Sequence, residues 1–167
     1  MIRTTAGVLL CIALSSPAAA QTALPKEGSV ELTTTFQATF QAIVLDKEFV
    51  QSFYDAYGSA LAAKEGGLGD RMTARCLGSA RFVKGKFDGE FGGCEYTDRS
   101  GDKYYISYSA SGTDTPGHTI SKGTWVGGTG KYAGITGNCD GKRYALPSPG
   151  AGRGASLVLS KCTYKLP

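Results

Sequence analysis

From Val30 to Leu45 the chain reads VELTTTFQATFQAIVL, in which Phe36, Ala38, Phe40, Ala42 and Val44 alternate with Gln37, Thr39 and Gln41. One apolar face at a period of two predicts a half-buried strand over residues 30–45. Residues 47–62 carry two patterns at once. Phe49, Phe53, Tyr57 and Leu61, spaced four apart, make a helical stripe, yet the same residues also share one face of a strand. Gly58 would cost a helix interior about 1 kcal/mol, and the aromatic content suits a sheet, so a strand is expected. EGGLGD (65–70) reads as a turn. Further strands are expected near 71–82, 88–99, 102–110, 118–126, 135–146 and 154–165, with a turn at Ser100-Gly101 and a loop at SGTDTPG. About eight short strands at regular spacing predict an all-β chain: a closed antiparallel barrel, or else a sandwich.

The N-terminus changes the picture of where this barrel lives. Arg3 precedes an apolar run from Ala6 to Leu14 and then small residues ending Ala18-Ala19-Ala20. That order is a secretory signal peptide, residues 1–20, and the apolar run is too short to span a bilayer. Residues 21–29 then read as a flexible leader and 30–167 as a single barrel domain, periplasmic or secreted. Cys11 leaves with the signal.

Composition adds less. Glycine is 24 of 167 residues, in keeping with tight turns. The formal charge of +4 falls by one when Arg3 is removed, and such a mild excess gives no reason to expect nucleic acid. No second apolar run of membrane length follows. The oligomeric state is not legible.

Four cysteines remain after cleavage: Cys76, Cys94, Cys139 and Cys162. An even number in an exported chain points to two disulfides. If Cys76 faces Cys94 across a hairpin, the turn centres on Gly85, and Arg75 falls opposite Glu95 and Thr73 opposite Thr97. A rival turn at Asp88-Gly89 would leave Cys76 without a partner. Pairing Cys139 with Cys162 centres the second turn in LPSPGAGRG. Both centres fall on turn residues, so bridges Cys76–Cys94 and Cys139–Cys162 are expected. With no Cys-x-x-Cys pair and His118 as the sole histidine, no metal site is assigned, and no cofactor.

Candidate chemistry is sparse. GGTGKYAGITG (127–137) lacks the opening glycine and the Ser/Thr of a phosphate loop, because Trp125 and Tyr132 stand there. Ser100-x-x-Lys103 matches an acyl-enzyme motif without its companions and reads as a turn. Asp98 and Asp102 read as turn caps. The more suggestive group is Arg75 and Glu95, which share one barrel face in the disulfide register, with Phe53, Asp55 and Tyr57 as candidates to join them. If that face is internal, these five would line the lumen, and a carboxylate polarised in an apolar pocket could act as an acid or base.

Gly127, Gly128, Thr129, Gly130, Lys131, Tyr132, Gly134 and Gly137 resemble the GGTG-[KR]-[YF]-x-G-x-x-G signature of the allene oxide cyclase and dirigent barrel superfamily, especially its small exported bacterial members. The run Cys94 to Ile106 is similar to the Cys-containing strand and Asp-x-x-Gly-Asp turn of those proteins. The resemblance covers residues 70–140. It implies an eight-stranded barrel whose glycine-rich turn plugs one mouth with an aromatic, and it carries over no catalytic residue. Three functions follow as expectations: a barrel binding a small apolar molecule in its lumen, a cofactor-free cyclase or isomerase using a lumen carboxylate, or a protein-interaction module. Whether the chain is an enzyme is left open, and no catalytic residue is assigned.

Overall fold

The structure is a computed structural model, and it describes residues 24–112 and 118–167. The segment expected to be a signal peptide, most of the loop before His118 and the first residues of the expected leader lie outside that range. Eight strands follow one another: β1 (Glu27–Asp46), β2 (Phe49–Ala62), β3 (Met72–Val83), β4 (Lys86–Thr97), β5 (Lys103–Ala110), β6 (His118–Gly128), β7 (Thr136–Leu146) and β8 (Arg153–Lys165). Each pairs antiparallel with the next, and β1 closes on β8. The result is a closed barrel, which leaves no continuous open sheet edge. The strand reading of 47–62 is correct, and its helical stripe is an accident of period four being twice period two. β1 already pairs with β8 at Glu27↔Lys165, so the strand begins inside the segment read as a leader.

Cys76–Cys94 and Cys139–Cys162 are both bridged, each across a directly paired position of neighbouring strands. Their Cα atoms lie 4.1 and 4.0 Å apart, the close spacing of antiparallel positions that exchange no backbone hydrogen bond. Each bridge contributes roughly 3 kcal/mol by restricting the unfolded chain. The β3–β4 turn is Lys84-Gly85, with φ of 52° and 72°. Two successive left-handed residues make the hairpin turn whose twist matches its strands. Asp88-Gly89 sits inside β4 beside a register slip between Arg81 and Phe82.

The two ends of the barrel differ. At one end, Leu32, Met72, Tyr96, Tyr104, Trp125, Tyr132 and Ile135 are all buried. Tyr104, with no exposed surface, stacks on Tyr96 at 4.7 Å and meets the edges of Trp125 at 4.6 Å and Tyr132 at 5.4 Å. The indole Nε1 of Trp125 donates to the Thr163 carbonyl at 3.0 Å, so its one polar atom is satisfied.

The glycine-rich stretch forms this floor. Its short 3-10 turn (Gly130–Tyr132) swings the Tyr132 ring under the barrel. Gly130 has φ of +52°, and a Cβ there would strike the Asp102 carboxylate. Asp98 ties the turn down. It accepts from Ser100 N at 2.8 Å, from Asp102 N at 3.1 Å and from the Tyr132 hydroxyl at 3.1 Å, and pairs with Lys131 Nζ at 2.5 Å. Burial disfavours its charge, but Lys131, Ser100 and Tyr132 outweigh that and hold the Asp98 carboxyl down to about 2. The expectation that Asp98 organises a turn is therefore met, with the plug as its second task.

Candidate functional site: a lumen with one polar cluster

Toward the opposite end the barrel is hollow. A cavity of about 410 Å³ runs down from the mouth, where the β1–β2, β3–β4 and β7–β8 connections lie. Its walls are mostly small or apolar: Ala38, Ala56, Ala80, Ala110, Ser121, Gly123, Gly141, Ser156 and Ser160, with Phe40, Phe82 and Phe87 toward the mouth and Phe36 against the floor cluster. Strand alternation explains the selection, because every second residue faces inward and the narrow interior favours small side chains. Both disulfides face inward as well, and their four cysteines line the cavity.

That parity decides the fate of the expected site. Residues next to an inward cysteine must point outward, so Arg75 and Glu95 stand on the outer wall. Phe53, Asp55 and Tyr57 share that wall, and none of the five lines the cavity. Phe53 is 46% exposed and Tyr57 56%. The register Arg75↔Glu95 is as expected, but the charges pair elsewhere. Arg75 Nη2 reaches Asp55 at 2.8 Å and its guanidinium lies over the Tyr57 ring, while Glu95 pairs with Lys103 at 2.9 Å. Hydrogen bonding from Arg75 holds the Asp55 carboxyl below its ordinary value. These are surface pairs of small energetic weight. The assignment of the five as lumen residues is corrected: the barrel is too narrow to take the aromatic face of β2, so that face is turned out.

The cavity holds a different charged group. In one registered row across four strands stand Tyr54, Gly78, Gly92 and Tyr108. The two tyrosines lean toward each other over the glycine pair, and their hydroxyls are hydrogen-bonded. A Cβ on Gly78 would overlap the Tyr54 hydroxyl, and one on Gly92 would lie 2.5 Å from the Tyr108 hydroxyl. The glycines are thus the saddle on which the tyrosine bridge rests. Two residues along β4 from Gly92, Glu90 accepts from the Tyr54 hydroxyl. Arg143 reaches across from β7, placing Nη1 at 2.7 Å from Glu90 Oε1 and Nη2 at 2.6 Å from Oε2. The second contact is an ion pair without hydrogen-bond alignment. Nη2 also approaches the Thr119 hydroxyl at 3.4 Å.

The Glu90 side chain is 2% exposed, whereas that of Arg143 keeps 32%, and Arg143 lines the cavity. Burial, then the Glu90 charge, push the Tyr54 hydroxyl far above its ordinary value. Tyr108 is pushed up to about 12, by burial first. Burial works against the Arg143 charge, but Glu90 outweighs it and holds the proton more firmly. At neutral pH both phenols are therefore protonated, beside the Glu90–Arg143 ion pair. Tyr54, Glu90, Tyr108 and Arg143 were all missed from sequence. The signal existed: Glu90 lies four residues from Cys94 and Arg143 four from Cys139, on the disulfide face, and Gly78 falls opposite Gly92 in the same register.

Fold and site together define a closed eight-stranded antiparallel barrel with one plugged end and one open, polar-centred lumen. Among the described residues, no helix is long and apolar enough to cross a membrane. No family model matches the sequence, and no curated protein matches it. Among solved structures the chain is similar to the pterocarpan synthase dirigent protein GePTS1, with a TM-score of 0.52 at 12% identity, over 93% of this chain and 100% of that one. At such identity the likeness establishes the fold, a dirigent-like barrel, and leaves the activity to the site.

Proposed function

We propose that this is an exported, disulfide-stapled barrel that binds a small, largely apolar molecule in its lumen. The observation that carries the reading is the 410 Å³ cavity, apolar along its walls, with one charged cluster set inside it. Ligand sites commonly have that composition, a hydrophobic cleft with a few fixed polar groups, and that size range. Isomerase chemistry would need a carboxylate free to exchange a proton. Glu95 is on the outer wall, and Glu90 is held by Arg143 and Tyr54, which favours holding a ligand over transforming it.

Native mass spectrometry of the oxidised protein, purified from an exporting host, tests the proposal. A mature chain four hydrogens below its reduced mass, carrying an adduct that leaves on denaturation, is expected. A chain that neither retains an adduct nor gains thermal stability from any apolar molecule would refute it.

A second reading, self-association through the outer wall, is favoured by a specific observation. Phe53 and Phe91 flank Ser79 on three adjacent strands, and Leu77 lies beside them, 53% exposed. Exposed apolar groups so close together are typical of contact surfaces. Sedimentation of the wild type against Phe53→Ser/Phe91→Ser distinguishes it: a wild-type oligomer that the double variant dissociates supports the contact, and a wild-type monomer removes it.

A further inference from the structure

We infer that Glu90 is a built-in counter-ion that sets the specificity of the lumen: it occupies Arg143, so the cavity selects an uncharged ligand with one hydrogen-bonding head over a carboxylate of the same shape. The inference rests on the lumen-binding reading above and names the chemical class that the same site takes.

The first ground is charge balance. Among the described residues lining the cavity, Glu90 and Arg143 alone carry charge, and they carry opposite signs. An arginine inside an apolar lumen would by itself be a fork for a carboxylate. Here both Nη atoms already lie on the two oxygens of Glu90, at 2.7 and 2.6 Å. An incoming anion would have to draw Arg143 away and leave a carboxylate with 2% exposure unpaired, or else place a second negative charge beside it. Either outcome discriminates by building an unpaired charge against the wrong ligand.

The second ground is what hydrogen-bonding capacity remains. Tyr54 has one proton and gives it to Glu90, so in the tyrosine pair Tyr108 is the donor. The Tyr108 oxygen is left as an acceptor toward the cavity that it lines. Thr119 also lines the cavity, and its hydroxyl, accepting from Arg143, keeps a proton to donate. A ligand hydroxyl or carbonyl can use these groups without disturbing the ion pair. The apolar body then lies against Phe36, Phe82, Phe87 and Val158.

Isothermal titration of the oxidised mature chain with decanol and with decanoate at neutral pH tests this. The wild type is expected to bind decanol at least tenfold more tightly than decanoate. In Glu90→Gln the guanidinium loses its counter-ion, and decanoate should gain at least tenfold and overtake decanol. Glu90→Gln/Arg143→Met should lose that gain, because the fork itself is gone. Decanoate binding the wild type as well as decanol does would overturn the inference while sparing the lumen reading. Binding of neither molecule would sink both. Should Glu90→Gln fail to fold, the wild-type ratio still decides. The double variant, with no unpaired charge left, should then fold and show no preference for the anion.

Discussion

The plugged end and the open end of this barrel are built on the same eight strands and behave as different materials. At the floor, Tyr96, Tyr104, Trp125 and Tyr132 fill the cross-section with rings in contact, and two of them are pinned by the bonds they donate, Trp125 to the Thr163 carbonyl and Tyr132 to Asp98. Toward the mouth, alanine, serine and glycine leave space, which a few phenylalanines border and one charged and phenolic cluster enters. The lesson is that residue size along the inward face partitions the molecule. Large side chains on one level make a core, while small ones on the next make a receptacle whose polar groups must then satisfy each other.

The comparison breaks most visibly at the floor. Trp125→Ala should cost about 3–5 kcal/mol in urea unfolding, through lost burial and the cavity left behind. Gly78→Ala acts on the lumen instead. Forcing a methyl under the tyrosine bridge should cost about 1–3 kcal/mol and weaken ligand binding, while the near-ultraviolet signature of Trp125 stays unchanged.

Asp98→Asn should destabilise by about 1.5 kcal/mol at neutral pH, because it removes the charge that holds Lys131 and the plug. Its sign with pH is fixed. The folded carboxyl is depressed to about 2, against an unfolded value of about 3.9. The wild-type advantage is therefore complete above the unfolded value and is lost as pH falls through about 2. Melts of both proteins across that range should converge at the acid end.

Tyr104→Phe should raise stability by about 1 kcal/mol, because the Tyr104 hydroxyl is buried without a partner and its loss removes a desolvation penalty. Smallest of all is Glu95→Gln on the outer wall. It should leave both melting temperature and ligand binding within error, whereas Glu90→Gln changes the ligand preference.

Much of the architecture was legible because it rests on local rules. Alternation in 30–45, glycine turns and cysteine registers gave eight strands and both bridges, since hairpin pairing follows from turn position alone. The β3–β4 turn shows the limit: a one-residue slip at Arg81 shifts the turn onto Lys84-Gly85, and nothing local in the sequence marks that slip. The site was lost on a question of faces. On β2 the aromatic residues Phe53 and Tyr57 look like the buried side, yet the interior takes Ser52, Ala56 and Ala60. Hydrophobicity predicts burial in a wide sandwich, but a closed barrel of eight strands has little room, and size competes with polarity for the inward positions. The inward-facing disulfides resolve the ambiguity, because once Cys94 is inside, Glu90 is inside and Glu95 is not. Even that rule requires knowing which way the bridge points, and a cross-strand disulfide fits either face.

The account turns on a lumen that is open to a ligand, and Ser156→Trp tests it most directly. Ser156 lines the cavity on β8, opposite Phe36 on β1, and an indole there would take up space that a ligand needs. Fluorescence titration of a neutral apolar dye should show saturable one-to-one binding to the wild type and none to Ser156→Trp, with both proteins melting as folded domains. Equal dye binding by the two would place the apolar site on the outer wall and contradict the lumen as the seat of function.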